Sequence, residues 1–72
     1  MNIKKTNALI EYLLYKKSLT RQIKAMTDEQ YMENPVGFEI YGYIDNMLEH
    51  YNDKEMDFIF DNQTALMQAY NI

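Results

Sequence analysis

Cysteine is absent from the 72 residues, which excludes disulfides, thiol chemistry and zinc sites built on thiolates. The single histidine, His50, leaves too few imidazoles for another kind of metal centre. No apolar run is long enough to span a bilayer. One proline and two glycines punctuate the chain, and no low-complexity segment, flexible linker or internal repeat interrupts it. Nothing fits a nucleophile elbow, a P-loop or a kinase signature. Paired carboxylates could serve glycoside-type chemistry only within a cleft that a chain this small seldom holds. The expectation is a non-enzymatic protein with no catalytic, cofactor-binding or metal-ligating residues and no cofactor.

What is present bounds the architecture. Seventy-two residues suit one small domain, 1–72, and such a domain buries only about 60% of its unfolded surface. Oligomerisation is a common way for a small chain to add buried area. The early lysines of the N-terminus faintly resemble a signal sequence, but Glu11 interrupts the apolar run and no small-residue cleavage site follows. The segment reads as part of the mature fold, with a cytoplasmic location as the default. Asn, Ile, Lys and Tyr are abundant and Lys far outnumbers Arg, a codon bias that suits a low-GC bacterium or its phage.

The stretch Asn34–Asn52 separates a basic first third from an acidic remainder and reads as a central helix. Asn34 is placed to cap it and Pro35 to occupy its first position. Val36, Ile40, Tyr43, Ile44, Met47, Leu48 and Tyr51 then recur at helical spacing. A strand over 37–44 is the rival, from the alternation of Phe38, Ile40, Gly42 and Ile44 with polar and tyrosine positions. Gly42 inside a helix disfavours it by roughly 1 kcal/mol relative to alanine. Phe38 beside Gly42 could form a knob and notch for a second helix.

The segment before it reads as the longest helix, from Asn2 to Met26, capped by Asn2 or Thr6. Ala8, Leu9, Tyr12, Tyr15, Leu19, Ile23 and Met26 form its core stripe. A second line, nearly opposite, runs through Ile3, Ile10 and Leu14 and continues in Lys17 and Arg21. It reads as a partner-binding strip that begins apolar and ends basic. Thr27 and Gln30 match a capping box for a short connector turn that must end near Asn34.

The last segment reads as one helix capped by Asn52 or Asp53, with Glu55 in its first turn. Met56, Ile59, Phe60, Gln63, Leu66, Met67 and Tyr70 form its core stripe. Phe58, Asn62, Ala65, Ala69 and Ile72 fall at heptad-like spacing with small residues between large ones, a candidate self-association seam. The fold expected is all-α, a three-helix bundle with a long N-terminal helix, a connector turn and two further helices, assembled as a homo-oligomer.

Charge is divided unevenly. Residues 1–26 carry six basic groups against one acid, and residues 27–72 carry Lys54 against ten acids, within a net charge of −4. The division can neutralise itself inside the fold or draw one copy to another, head against tail. The acidic balance argues against nucleic acid as the partner, although the basic first helix could touch phosphates. The acids Glu39, Asp45, Glu49, Asp53, Asp57 and Asp61 could instead imitate a phosphate array, a weak signal because they are spread around their helices. His50 reads as a surface histidine. Tyr12, Tyr43, Tyr51 and Tyr70 fit core stripes, whereas Tyr15, Tyr31 and Tyr41 are free for contacts.

The function expected is a small interaction module that regulates or inhibits a larger protein partner, of phage or mobile-element type, acting with itself as a homo-oligomer. Its contacts are Ile3, Ile10, Leu14, Lys17 and Arg21 for the partner, and Phe58, Ala65, Ala69, Ile72, Phe38 and Gly42 for itself. The alternatives are a nucleic-acid-binding regulator using the first helix, or a small-ligand or nucleotide binder at an oligomer seam with Tyr15 near Lys16 and Arg21.

Overall fold

The computed structural model describes residues 2–72, and all regular structure among them is helical. Helix α1 runs Ile3–Ala25, α2 Asp28–Glu33, α3 Ile40–Leu48, α4 Asp53–Asp61 and α5 Gln63–Ala69. No strand forms over 37–44. At 1.5 Å per residue, the 23 residues of α1 are about 35 Å long. The whole molecule is elongated, 44 × 23 × 19 Å, so α1 is its spine.

Local chemistry sets most of the boundaries. Asn2 caps α1, its Oδ1 accepting from the Lys5 amide at 3.1 Å. The capping box predicted at Thr27 and Gln30 is complete in both directions. A second box forms at Asn52 and Glu55 and starts α4. Each satisfies amides that the first turn of a helix otherwise leaves unpaired.

Two boundaries differ from the sequence reading. Asn34 ends α2 as its C-cap rather than starting α3, and Pro35 lies in non-helical chain. The helix begins five residues later because Gly37 takes φ +106°, a conformation no right-handed helix admits. Its turn is closed by the Ile40 and Tyr41 amides donating to the carbonyls of Gly37 and Phe38. A Cβ at Gly37 would stand 3.3 Å from Leu19 Cδ2 on α1. The turn is therefore pressed onto the spine.

The final segment is two helices, not one. Asn62 leaves helical geometry at φ −120°, ψ 25°, and its side-chain amide donates to the Phe58 carbonyl at 2.8 Å. Such a side-chain bond competes with the backbone ladder. Gln63 Nε2 also donates to the Phe60 carbonyl. The expected three helices with a connector turn are thus five.

The core joins Ala8, Leu9, Tyr12 and Leu13 of α1 to Met47 of α3 and to Met56 and Ile59 of α4. Tyr12, Leu13 and Met47 are its most enclosed side chains. Leu13 is outside the predicted stripe, yet fully buried. Elements pack on both flanks of α1, so the buried arc is wider than one line of residues. On one flank Tyr15 stacks on Tyr43 of α3 at 4.7 Å. On another, Tyr12 meets Phe60 of α4 edge to face at 6.0 Å. Leu19 is buried as predicted, whereas Ile23, Leu48, Phe60 and Tyr70 of the predicted stripes are exposed. Leu66, Met67, Tyr51 and Ile72 are partly buried against the core.

Lys5 fastens α1 to the α3–α4 corner. Its ammonium reaches Glu55 Oε2 at 2.7 Å and lies 4.7 Å from the centroid of the Tyr51 ring. The Tyr51 hydroxyl donates to the Lys5 carbonyl at 2.9 Å. Burial of this hydroxyl raises its pKa, and so do Tyr70 and Glu55 nearby. The hydrogen bond from Lys5, followed by the Asn52 amide, holds the Glu55 carboxyl below its usual range.

Candidate interaction surfaces

The second half of α1 and the start of α5 enclose a strongly basic concavity. Lys16, Lys17, Thr20, Arg21 and Lys24 line it from α1, and Gln63, Thr64 and Met67 from α5, around about 380 Å³. The spacing places these α1 groups on neighbouring turns, at i, i+4 and i, i+3. None of the four cations has a carboxylate within ion-pair distance among the described residues, where Lys5–Glu55 is the one salt bridge. The Thr20 hydroxyl donates back to the Lys16 carbonyl at 2.9 Å. Met67 supplies an apolar part of the wall.

An apolar dimple lies where α1 meets α4 and α5. Leu9, Phe58, Ile59 and Leu66 line about 310 Å³, with Tyr51, Lys54 and Glu55 at its edges. Phe58 leaves 60% of its surface in water. An exposed phenyl ring beside an apolar hollow is a knob next to a hole on one face.

Helix α2 has an intact capping box, yet it is exposed at every position. Asp28, Glu29 and Glu33 give it three negative charges, and Met32 is 81% exposed.

The predicted strips are rearranged by these elements. Ile3 and Leu14 are exposed, and Ile10 is partly buried. Leu14 opens toward α3, in a shallow hollow with Glu11, Tyr15 and Tyr43. Lys17 and Arg21 belong instead to the α5 side. The single line drawn on the sequence therefore faces two different neighbours. The self-association line is interrupted by the break at Asn62. Phe58 lines the dimple, Ala65 lines a separate hollow around the α4–α5 junction, and Ala69 is exposed. Ile72 packs back on the core, its amide donating to the Met67 carbonyl at 2.8 Å. A continuous heptad seam needs a continuous helix, and here there are two.

Phe38 is exposed and lines a small hollow with Pro35, Val36 and Tyr15. A Cβ on Gly42 would meet nothing within 4 Å, so no backbone of the same chain approaches it. Tyr15, proposed from sequence as a stacking platform beside Lys16 and Arg21, does not line their cleft and has its ring on Tyr43. Burial, then Glu39 and Tyr43, raises its pKa. No group of three or more potential metal ligands occurs among the described residues, and no helix is long and apolar enough to cross a membrane.

Sequence reasoning named Lys16, Lys17 and Arg21, in two separate readings, but missed Lys24, Gln63 and Thr64 as members of the same cleft. The repeat Lys17, Arg21, Lys24 was a readable signal for the α1 wall. The α5 wall depends on the break at Asn62. No protein-family model, curated protein or solved structure matches this chain.

Proposed function

We propose that the chain is a non-enzymatic protein–protein interaction module, a regulator or inhibitor of a larger partner, that works as a homo-oligomer. The observation that supports this reading most is Phe58, largely exposed beside an apolar dimple. A ring and a hollow on one face suit reciprocal contact across a two-fold axis, in which each copy offers the same patch. Ala65 and Ala69 add a low surface beside α4 and α5. On α1, Ile3, Ile10 and Leu14 are left for the larger partner, whereas Lys17 and Arg21 face the α5 side. Phe38, in the turn before α3, and Gly42 on α3 extend the exposed surface.

The test is the mass in solution across a concentration series. Wild type is expected to form dimers or a higher closed oligomer, and Phe58→Glu to remain monomeric with an unchanged helical spectrum. A wild-type chain that stays monomeric at the highest concentrations would remove the homo-oligomeric part of the reading.

One observation favours a second reading, a nucleic-acid-binding regulator: four cations, none ion-paired among the described residues, line one cleft. The net charge of −4 counts against it. Salt-dependent retention on DNA or heparin, abolished in Lys17→Glu/Arg21→Glu, would support it.

A further inference from the structure

Two features of opposite charge are left unsatisfied by the fold. The α1–α5 cleft gathers Lys16, Lys17, Arg21 and Lys24 with no carboxylate in reach among the described residues. Helix α2 carries Asp28, Glu29 and Glu33 and buries none of its residues. Like charges crowded on one helix face repel, and a chain of net negative charge has acids to place elsewhere on its surface. A short helix with a complete capping box and no packing gains nothing from tertiary burial, which supplies most helical stability in proteins. Each feature is what the other lacks.

We infer that the cleft between α1 and α5 receives helix α2 of a second copy of this chain, reciprocally across a two-fold axis. This rests on the homo-oligomeric part of the proposed function and adds a charged contact to it. The dimensions agree. The six residues of α2 make a rod about 9 Å long, and Lys16 to Lys24 cover about 12 Å of α1. An antiparallel crossing of two α1 helices near their C-terminal ends carries each α2 over the other copy's cations. The same chain's α2 makes no hydrogen bond or ion pair with those cations among the described residues. The exposed Met32 gains apolar cover from Met67 and the lysine stems, which bury their methylenes while keeping the charge wet. Three acids opposite four cations leave the contact close to neutral, whereas a nucleic-acid backbone would also face the acids on the rest of the surface.

The test is a charge exchange read by sedimentation equilibrium. Lys17→Glu/Arg21→Glu brings the charges of the cleft to a net of zero, and Glu29→Lys/Glu33→Lys turns the negative charge of α2 into a net positive one, so each removes the attraction in both copies of the contact. Each alone is expected to weaken association at least about tenfold at low salt. Mixed one to one, they are expected to recover part of the wild-type association, because the mixed dimer keeps one contact with its native charges and in the other sets the new carboxylates against the new ammonium groups. Raising sodium chloride from about 0.05 M to about 0.5 M should weaken the wild-type dimer and the mixed dimer alike. All four altered residues lie outside the core, and an unchanged helical spectrum confirms that each variant folds. Association that ignores salt and both variants yet is lost in Phe58→Glu would overturn this contact and leave the proposed function standing. Weakening without recovery on mixing would overturn it too. A monomer under every condition would remove both. Retention of wild type on DNA without any change of mass, lost in Lys17→Glu/Arg21→Glu, would assign the cleft to a phosphate backbone instead.

Discussion

Residues 8–13 of α1 and residues 20–25 of the same helix differ in what lies against them. The first set supplies four core residues, packed by α3 on one side and α4 on another. The second set is exposed at every position, although Ile23 continues the apolar stripe. Both sets have helical periodicity, and the same helix carries them. Burial is decided by the partner elements, and past Ala25 the chain turns into α2, which is exposed at every position. One end of the molecule is committed to folding, and the other is free for contacts.

The sharpest way to break this comparison is to truncate one residue at each end. Leu13→Ala should destabilise by about 2–5 kcal/mol, the usual range for a buried leucine, enough to unfold a domain this small. Ile23→Ala should change stability by less than about 1 kcal/mol. Urea titration followed by helical signal reads both, and similar losses would show that the far end of α1 is covered in the monomer.

The glycines give a smaller contrast of opposite sign. Gly37→Ala forces φ +106° on an L residue and brings a Cβ to 3.3 Å from Leu19, so a loss of about 1–2 kcal/mol is expected. Gly42→Ala lies in a helix with open space around it and should gain up to about 1 kcal/mol. Thermal unfolding of the two variants checks the order.

The caps differ in the same direction. Asn52→Ala removes the start of a helix that supplies Met56 and Ile59 to the core, at about 1 kcal/mol. Thr27→Ala should instead speed amide exchange within α2 and leave global stability unchanged, because α2 buries nothing.

The smallest effect is in acid. The Glu55 carboxyl is held low chiefly by the Lys5 hydrogen bond. A group whose folded pKa is depressed stabilises above its unfolded value and loses that contribution as pH falls through the folded one. Stability should therefore decline below the ordinary glutamate value of about 4.3, and less steeply in Glu55→Gln. Equal slopes would mean the pair carries no linkage.

These contrasts follow what could be read from the chain. The capping box at Thr27 and Gln30 was legible because two residues three positions apart complete it, whereas at Asn52 the sequence showed a cap, with Asp53 as its rival, and Glu55 in the first turn. The long first helix and the all-helical class were legible from periodicity. The start of α3 was not, since Asn34-Pro35 gives a local start signal that Gly37 overrides through its fit against Leu19, eighteen positions away. Leu13 was missed because one helix stripe cannot express packing on two flanks. The break at Asn62 split the final helix and, with it, the proposed seam of Phe58, Ala65, Ala69 and Ile72. The cleft was half legible: its α1 wall is a repeat of basic residues, but its α5 wall exists only after that break.

Hydrogen exchange measured across a dilution series tests the two-ended account most directly. The account predicts that amides in 28–33 become more protected as concentration rises and copies associate, at low salt, while amides in 8–13 are protected throughout. Protection of 28–33 that stays constant while the mass doubles would contradict it.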